Sequence, residues 1–511
     1  MRMQAGSGPA NGANDFVTIL SGTFQNVAGI AIAALAMLVV QVLMTRRLGS
    51  ELFGVVTLLT QGAFVASFAT RSGMDMAVLR DVAIDAGTRR WGHIRLMVAR
   101  AAWIAAGVST LAAIVAVARG SSILHALHMP DIGAEVIWAA ALGLPFLATA
   151  NVWLAATRGL KIMRYTLYVF WAGQNLVWIL LLVILWWIEP SRSPTTSVLA
   201  YSLSWVWAAG FAAFFWRREC SAWEKVPPEP GWLGKLLRYA GPRAPAALLA
   251  QLLFWTDLFV LTQFRGASQV GIYSAVLRAG QVMMLFLTSV NMMFGPFVAD
   301  LHNRGQRDHL DALYKTLTRW IVAATLPLFL LLAIAPNAVM RIFGEEFSTG
   351  QTALLVLLGG QFVNIATGSA GFILVMVGRT EWDLAIYAGS VVLDVALALW
   401  LCPRYGITGA AIANAVTFAC SNCARLTAVK RFVDIQPYDR RYARLALPTV
   451  IAAAVMWLLH ASLHFDYLGD LLVTGGVGGL VYTVCYGLFG LTPEERRGAR
   501  ALWQRVTDRT R

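Results

Sequence analysis

Charge is scarce in this sequence. Only 13% of its 511 residues are Asp, Glu, Lys or Arg, against roughly a quarter in a soluble globular protein, which excludes a water-facing surface over most of the chain. Cysteine is rare as well. Of the five, only Cys420 and Cys423 share a CxxC spacing, inside an apparent helix and with no second pair to complete a metal site, so ordinary buried thiols are expected. No stretch of alternating polarity is long or regular enough for a membrane β-barrel. No P-loop, metal-ligand cluster or nucleophile-base constellation is present, and no soluble segment is large enough for an ATPase. An enzyme, a cofactor and a metal site are therefore not expected.

Apolar residues are what the chain has, 58% of it, with a mean hydropathy of +0.63. Runs of about 20 apolar residues recur, each long enough to cross the roughly 30 Å hydrocarbon layer as a helix. Fourteen are expected, at 17–44, 52–70, 97–118, 134–157, 166–188, 198–216, 244–264, 271–298, 320–342, 351–377, 383–402, 408–428, 445–462 and 468–490. The fold class is all-α, a polytopic integral membrane protein. The first sixteen residues are polar, and the apolar run behind them exceeds a signal-peptide core and has no small-residue cleavage pattern, so the first helix is expected to be retained.

The formal charge of +14 would suggest nucleic acid in a soluble protein; here topology accounts for it and nucleic acid is not expected. Of the 41 Lys and Arg, 33 lie in the two tails and in or at the edges of the connections after spans 2, 4, 6, 8, 10 and 12, and 7 in the other connections. Positive residues mark the cytoplasmic side, so both termini are expected inside, facing anionic lipid headgroups. The remaining residue, Arg278, falls inside a span. Arg46 and Arg47 oppose the rule, as the only basic pair in an outward connection. Either they snorkel to the outer interface and cap a helix C-terminus, or they line the outer mouth of a path used by something negative.

An internal repeat is visible. Gly49-Ser-Glu-Leu-Phe-Gly54 recurs 217 residues later as Gly266-Ala-Ser-Gln-Val-Gly271, Gly87-Thr-Arg89 is matched by Gly305-Gln-Arg307, and Arg158 by Arg379. The spacing equals six spans. Six is even, so the halves enter the membrane in the same sense and a pseudo-twofold along the membrane normal is expected, with a cavity between two six-helix lobes. The expected domains are 1–216 (first lobe), 217–243 (a cytoplasmic linker with an interfacial helix at Trp232–Tyr239), 244–430 (second lobe), 431–490 (spans 13 and 14) and 491–511 (a tail helix capped by Thr492 and Glu495).

Polar side chains within spans must face protein, water or a ligand. Ser274, Arg278, Gln281 and Thr288 share about 80° of one helix face. Arg278 either contacts an anion in the cavity or pairs with Asp257 of the preceding span. Asp383 and Arg425 are expected to form a structural pair between spans 11 and 12. Asp394, near mid-membrane with no obvious basic partner, either stays protonated or holds a coupling cation. Asn26 in span 1, Gln174 and Asn175 in span 5, and Gln361 and Asn364 in span 10 are either ligands for sugar hydroxyls or glue between helices. Arg71, just past span 2, is either an entry contact or a positive-inside anchor.

Thr45-Arg-Arg-Leu-Gly-Ser-Glu-Leu-Phe-Gly54, Gly271-Ile-Tyr-Ser-Ala275 with Arg278, and Tyr405-Gly-Ile-Thr-Gly-Ala-Ala411 resemble the polysaccharide-transporter branch of the multidrug/oligosaccharidyl-lipid/polysaccharide exporter superfamily. The likeness covers most of the chain. It implies an inner-membrane flippase that moves a polyprenyl-diphosphate-linked glycan to the outer leaflet by alternating access, for O-antigen, exopolysaccharide or capsule synthesis. It further implies spans 13 and 14 as a groove for the polyprenyl tail, and a polysaccharide polymerase with chain-length machinery as working partners. Within this resemblance Arg278, Arg46, Arg47 and Arg71 are the candidate diphosphate contacts. A cation-coupled multidrug antiporter of the same superfamily is the alternative and requires acidic cavity residues to dominate. A membrane glycosyltransferase or polymerase requires a large outward loop, whereas the longest here is only about fifteen residues. The charge bias yields a direct expectation: reporters fused to either terminus are active on the cytoplasmic face only, and activity of one of them on the other face refutes the even-span topology.

Overall fold

The computed structural model describes residues 12–87, 90–129, 131–221, 223, 231–462 and 465–492. Every regular element among them is helical. In chain order these are α1 (Gly12–Thr70), α2 (Met74–Gly87), α3 (Trp91–Ala118), α4 (Gly120–Ala126), α5 (Glu135–Gly159), α6 (Arg164–Thr166), α7 (Gln174–Ile188), α8 (Pro194–Glu219) and α9 (Trp232–Leu261). They continue with α10 (Ala267–Gln281), α11 (Leu285–Asn303), α12 (Arg307–Ile334), α13 (Pro336–Arg341), α14 (Gln351–Ala366), α15 (Ala370–Met376), α16 (Thr380–Phe432), α17 (Ala446–Ser462) and α18 (Tyr467–Cys485). A π-helical stretch, Leu167–Gly173, joins α6 to α7.

Ten helices among the described residues are long and apolar enough to cross a membrane, or eleven when α14 and α15, with the turn leading into α14, are taken as one span bent by 43°. The chain is a multi-pass membrane protein. The difference from fourteen has local causes. Two expected pairs of spans are each drawn into one helix, 59 residues in α1 and 53 in α16. Straight, α16 would measure about 80 Å, more than twice the hydrocarbon thickness. Each breaks at a glycine: Gly49 has φ 75° and ψ 176°, Gly406 φ 56° and ψ −130°, backbone states that a Cβ disfavours. α9 contains the shorter apolar stretch Ala247–Leu261 and runs unbroken from Trp232, so the helix expected to lie in the interface and the seventh span are continuous.

Where the first and second halves meet at their glycine motifs, the two backbones themselves come into contact. A Cβ on Gly54 would lie 2.1 Å from the Ala267 carbonyl oxygen and 2.9 Å from the Gly271 nitrogen; one on Gly271 would lie 1.9 Å from the Ser50 carbonyl oxygen and 3.1 Å from the Gly54 nitrogen. The contact is reciprocal. The repeated segments of α1 and α10 pack backbone to backbone on each other, as a twofold relation between lobes requires.

The arms of α16 are joined near one end: Arg425 Nε lies 3.5 Å from Asp383 Oδ1, its Nη1 donates to Ser421 Oγ at 3.0 Å, and its guanidinium covers the Tyr387 ring at 4.4 Å. The expected Asp383–Arg425 pair is present. The last helices are tied by Asp470, 2.8 Å from His460 Nδ1 and accepting from Thr474 at 2.9 Å. Cys420 and Cys423 are exposed on α16, not buried as expected; on a membrane helix an exposed thiol meets lipid at no polar cost. Thr88, Arg89 and the tail from Pro493 lie outside the described residues.

Replacing Gly271 by Val is expected to cost about 1–3 kcal/mol by overpacking and to lower the unfolding temperature in detergent. Gly107→Ala, where a Cβ meets nothing within 4 Å, should leave it unchanged. Equal stabilities would refute the close backbone approach.

Candidate functional site

A cavity of about 240 Å³ lies between the halves, lined by α1 on one side, Trp171 and Asn175 on another, and α9, α10 and α11 on the rest. Its polar lining includes Gln41, Asn175, Arg278, Gln281 and Thr288. Thus three of the four residues in the predicted stripe share this space. Ser274 does not; it is buried and returns its hydroxyl to Val270 O at 2.7 Å. Gln174 donates to Ser204 Oγ at 2.9 Å and joins α7 to α8, while Asn175 faces the cavity and donates to Trp171 O at 2.8 Å. Gln361 and Asn364 are buried beside each other on α14, 3.5 Å apart, away from the cavity lining. Asn26 lies outside the residues whose side chains are described.

Arg278 is only 7% exposed. Its Nη1 donates to Gln281 Oε1 at 3.3 Å and approaches Met37 Sδ at 3.9 Å; its guanidinium lies 4.8 Å from the Trp255 ring centre. Nε is buried with no hydrogen-bond partner, and Arg278 forms no ion pair among the described residues. Burying an unpaired cation costs several kcal/mol. The ring face and amide offset part of that, and an anion in the cavity would offset the rest.

Asp257 is not its counter-ion. The Asp257 carboxylate accepts from Tyr273 Oη, from Asn414 Nδ2 at 3.0 Å and from the Leu258 N–H at 2.8 Å. Tyr273 and Arg278 are five residues apart on α10, about 140° around the helix, so one reaches the second half's core and the other the cavity. Asp394 is fully buried beside Asp257 and Thr417. Both of its carboxyl oxygens and Asn414 Oδ1 are buried without a hydrogen bond of ordinary geometry among the described residues, the Thr417 hydroxyl being the polar group that faces Asp394. So many unsatisfied oxygens in one place call for a proton or a small cation.

At the end carrying Arg46, the halves are clamped. Glu346 accepts from the Ser50 N–H and from Ser50 Oγ, each at 2.8 Å, and Ser50 Oγ shares a 2.7 Å hydrogen bond with Ser268 Oγ. Arg46 donates to Ile342 O at 2.9 Å, Arg341 O at 3.1 Å and Tyr467 Oη at 2.6 Å, which links α1 to α18. Arg47 donates to Pro190 O at 2.6 Å. Both arginines therefore hold backbone carbonyls at helix ends. Arg71 is buried at the other end of its helix arm, paired with Asp75 at 3.1 Å and stacked 3.9 Å from the Phe68 ring. Sequence reasoning missed Glu346, Tyr273 and Tyr467. Glu346 carried one signal, an acid in an outward connection, but its partner Ser50 is 296 residues away.

A helical bundle of two repeat-related halves, with a buried guanidinium between them, is the frame of an alternating-access membrane transporter. The family model described as "Polysaccharide biosynthesis protein" matches residues 19–302, and the one described as "MatE" matches 242–400. The chain belongs to the polysaccharide biosynthesis protein family, in the polysaccharide-flippase branch of the multidrug/oligosaccharidyl-lipid/polysaccharide exporter superfamily.

A probable low-salt glycan biosynthesis flippase, Agl15 of Haloferax volcanii, is 24% identical over 230 residues, 45% of this chain and 49% of the relative. The chain thus spans about half the length of that curated relative. Among solved structures, a lipid II flippase MurJ in an inward closed conformation superposes with TM-score 0.70 at 12% identity, covering 93% of this chain and 98% of the other. An inward-facing multidrug resistance MATE family transporter gives 0.65 at 13% identity, covering 80% and 94%. A superfamily transporter from Pyrococcus furiosus gives 0.62 at 14%, covering 83% and 96%. These likenesses show the fold.

The 2.7 Å Ser50–Ser268 hydrogen bond generates a prediction. Ser50→Cys/Ser268→Cys, in a background with Cys420 and Cys423 replaced by Ser, should form a disulfide under mild oxidation and lose transport until reduced. No cross-link, or full transport in the cross-linked state, would contradict a clamp that has to open.

Proposed function

We propose that this protein is a flippase for a polyprenyl-diphosphate-linked oligosaccharide. It carries the glycan head from the cytoplasmic to the outer leaflet of the bacterial inner membrane, for O-antigen, exopolysaccharide or capsule synthesis. The observation that carries this reading is Arg278, a buried guanidinium with no counter-ion among the described residues, lining a cavity between the lobes. A diphosphate is too costly to cross hydrocarbon unaided; a cationic, amide-lined cavity holds it while the lipid tail stays in the bilayer. The likeness to a probable glycan biosynthesis flippase of Haloferax volcanii supports a glycan as the cargo.

A space of about 240 Å³ is smaller than the usual drug-sized pocket of about 300–1,000 Å³, so the glycan enters only when the lobes part. In this reading the clamp at Ser50, Ser268 and Glu346 is the shut outer gate. When it opens, Arg46 and Arg47 leave their carbonyl partners and receive the diphosphate at the outer mouth, and Arg71 offers an inner-entry contact. Helices α17 and α18, latched to α1 through Tyr467 and Arg46, border the path of the polyprenyl tail. The expected lobes, 1–216 and 244–430, are the moving bodies in this scheme. The tail helix expected over 491–511, and a polymerase with chain-length machinery, are further elements of it.

Energy has two sources. Outward movement of negative charge runs with an inside-negative potential, worth about 2.3 kcal/mol per charge per 100 mV. The orphaned oxygens of Asp394 and Asn414 beside Asp257 support a coupling proton or cation held in the second lobe.

Arg278→Ala is expected to reduce surface glycan about tenfold or more at equal membrane protein level, and Arg278→Lys to retain part of the activity, since an ammonium keeps the charge without the planar fork. Undiminished export in both variants removes Arg278 from the mechanism. Asp394→Asn separates coupling from binding: loss of gradient dependence with retained diphosphate-lipid binding is expected, and unchanged dependence on proton and sodium gradients rules coupling out. Resistance to cationic drugs, with no change in surface glycan on deletion, would favour the antiporter reading.

A further inference from the structure

A second and larger cavity, about 830 Å³, opens on the outside of the first half between α3, α5 and α8. It shares no lining residue with the Arg278 cavity. We propose that it is a binding site for an anionic phospholipid of the cytoplasmic leaflet, one acyl chain lying in the groove and the phosphate held by Arg95 and Arg217.

The walls fit a chain. Small residues on facing helices, Ala102 and Ala106 on α3, Ala209 and Ala213 on α8, leave the space. Trp103, 77% exposed, flanks it. The one polar side chain midway along the groove, Thr149, has its hydroxyl committed to Pro145 O at 2.9 Å, so the interior presents almost wholly hydrocarbon.

The mouth fits an anion. Arg95 and Arg217 stand together at the same end of the groove, and among the described residues none that lines it is acidic. Among the described residues Arg95 is oriented by one hydrogen bond, Nη1 to Trp223 O at 2.7 Å, and its fork carries further N–H donors. Arg217 is exposed on the last turn of α8. Basic residues at this end are those that the charge bias assigns to the cytoplasmic face, where anionic headgroups are attracted by about 1 kcal/mol per Arg.

Depth decides which lipid. From Arg95 to Ala106 the groove follows α3 for eleven residues, about 16 Å at 1.5 Å per residue, close to half of the roughly 30 Å hydrocarbon layer. That is the depth of one leaflet. It accommodates a phospholipid acyl chain and ends at mid-membrane, where a longer polyprenyl tail would continue.

The test is native mass spectrometry of the delipidated full-length protein titrated with phosphatidylglycerol or phosphatidylethanolamine of the same chain length. Wild type should retain phosphatidylglycerol on the order of tenfold better, as two arginines at the headgroup predict. Arg95→Ala/Arg217→Ala should bring the two lipids to parity. Gly210→Leu should remove adducts of both: Gly210 lines the groove and a Cβ there meets nothing within 4 Å, so the leucine occupies the space without displacing protein. Gly359→Leu, equally uncrowded on α14, is the control that should bind as wild type does. Equal retention of the two lipids by wild type, undiminished adducts in Gly210→Leu, or a co-purified polyprenyl lipid that Gly210→Leu displaces would each overturn the proposal.

Discussion

The backbone contact between Gly54 and Gly271 governs how the rest of this molecule is arranged. Two helix segments approach until a single added carbon on either would lie about 2 Å from the other's carbonyl oxygen. Only at that separation can Ser50 reach Ser268 while its N–H and hydroxyl are held by Glu346. Because the partners are repeat-equivalent, the contact lies on the symmetry relation between halves. It closes the Arg46 end and leaves the Arg278 cavity as the space enclosed deeper between them. Beside it Phe53 packs edge to face on Phe347, with ring centres 6.1 Å apart, so the junction joins a backbone contact, a polar clamp and one buried aromatic pair.

Charge is distributed by the same geometry. α10 carries Tyr273 and Arg278 on different faces, so Tyr273 satisfies Asp257 within the second half while Arg278 is left facing the cavity. Had the arginine turned toward Asp257, a buried ion pair would have neutralised the site. Instead, the guanidinium and the two acids are held in separate compartments, and among the described residues a guanidinium Nε in one and the Asp394 carboxyl oxygens in the other lack hydrogen-bond partners. Unsatisfied buried charge is expensive for stability and is retained where function needs it.

Several features were legible from the chain alone, because they rest on local periodicity. The apolar runs, the six-span repeat and the stripe of Arg278, Gln281 and Thr288 follow from spacing along one helix, and the Asp383–Arg425 pair from two faces of a hairpin. The roles of Ser274, Gln361 and Asn364 were not, since a polar residue on a helix does not reveal whether a partner, a cavity or its own backbone will satisfy it. Ser274 bonds back to Val270. Arg46 and Arg47 showed the same ambiguity: their anomaly in the charge count was plain, whereas their carbonyl partners at Ile342 and Pro190 lie in remote segments.

Composition and periodicity by themselves determined that this is a helical membrane protein of many spans, because the hydrocarbon layer sets how long each apolar run has to be. Tertiary structure alone decided that the repeated glycine motifs touch each other, that Asp257 belongs to Tyr273 and Asn414, and that Arg278 has no counter-ion among the described residues. Those are relations between segments some 16 to 220 residues apart along the chain, and no pattern within one helix encodes which face of another it will meet.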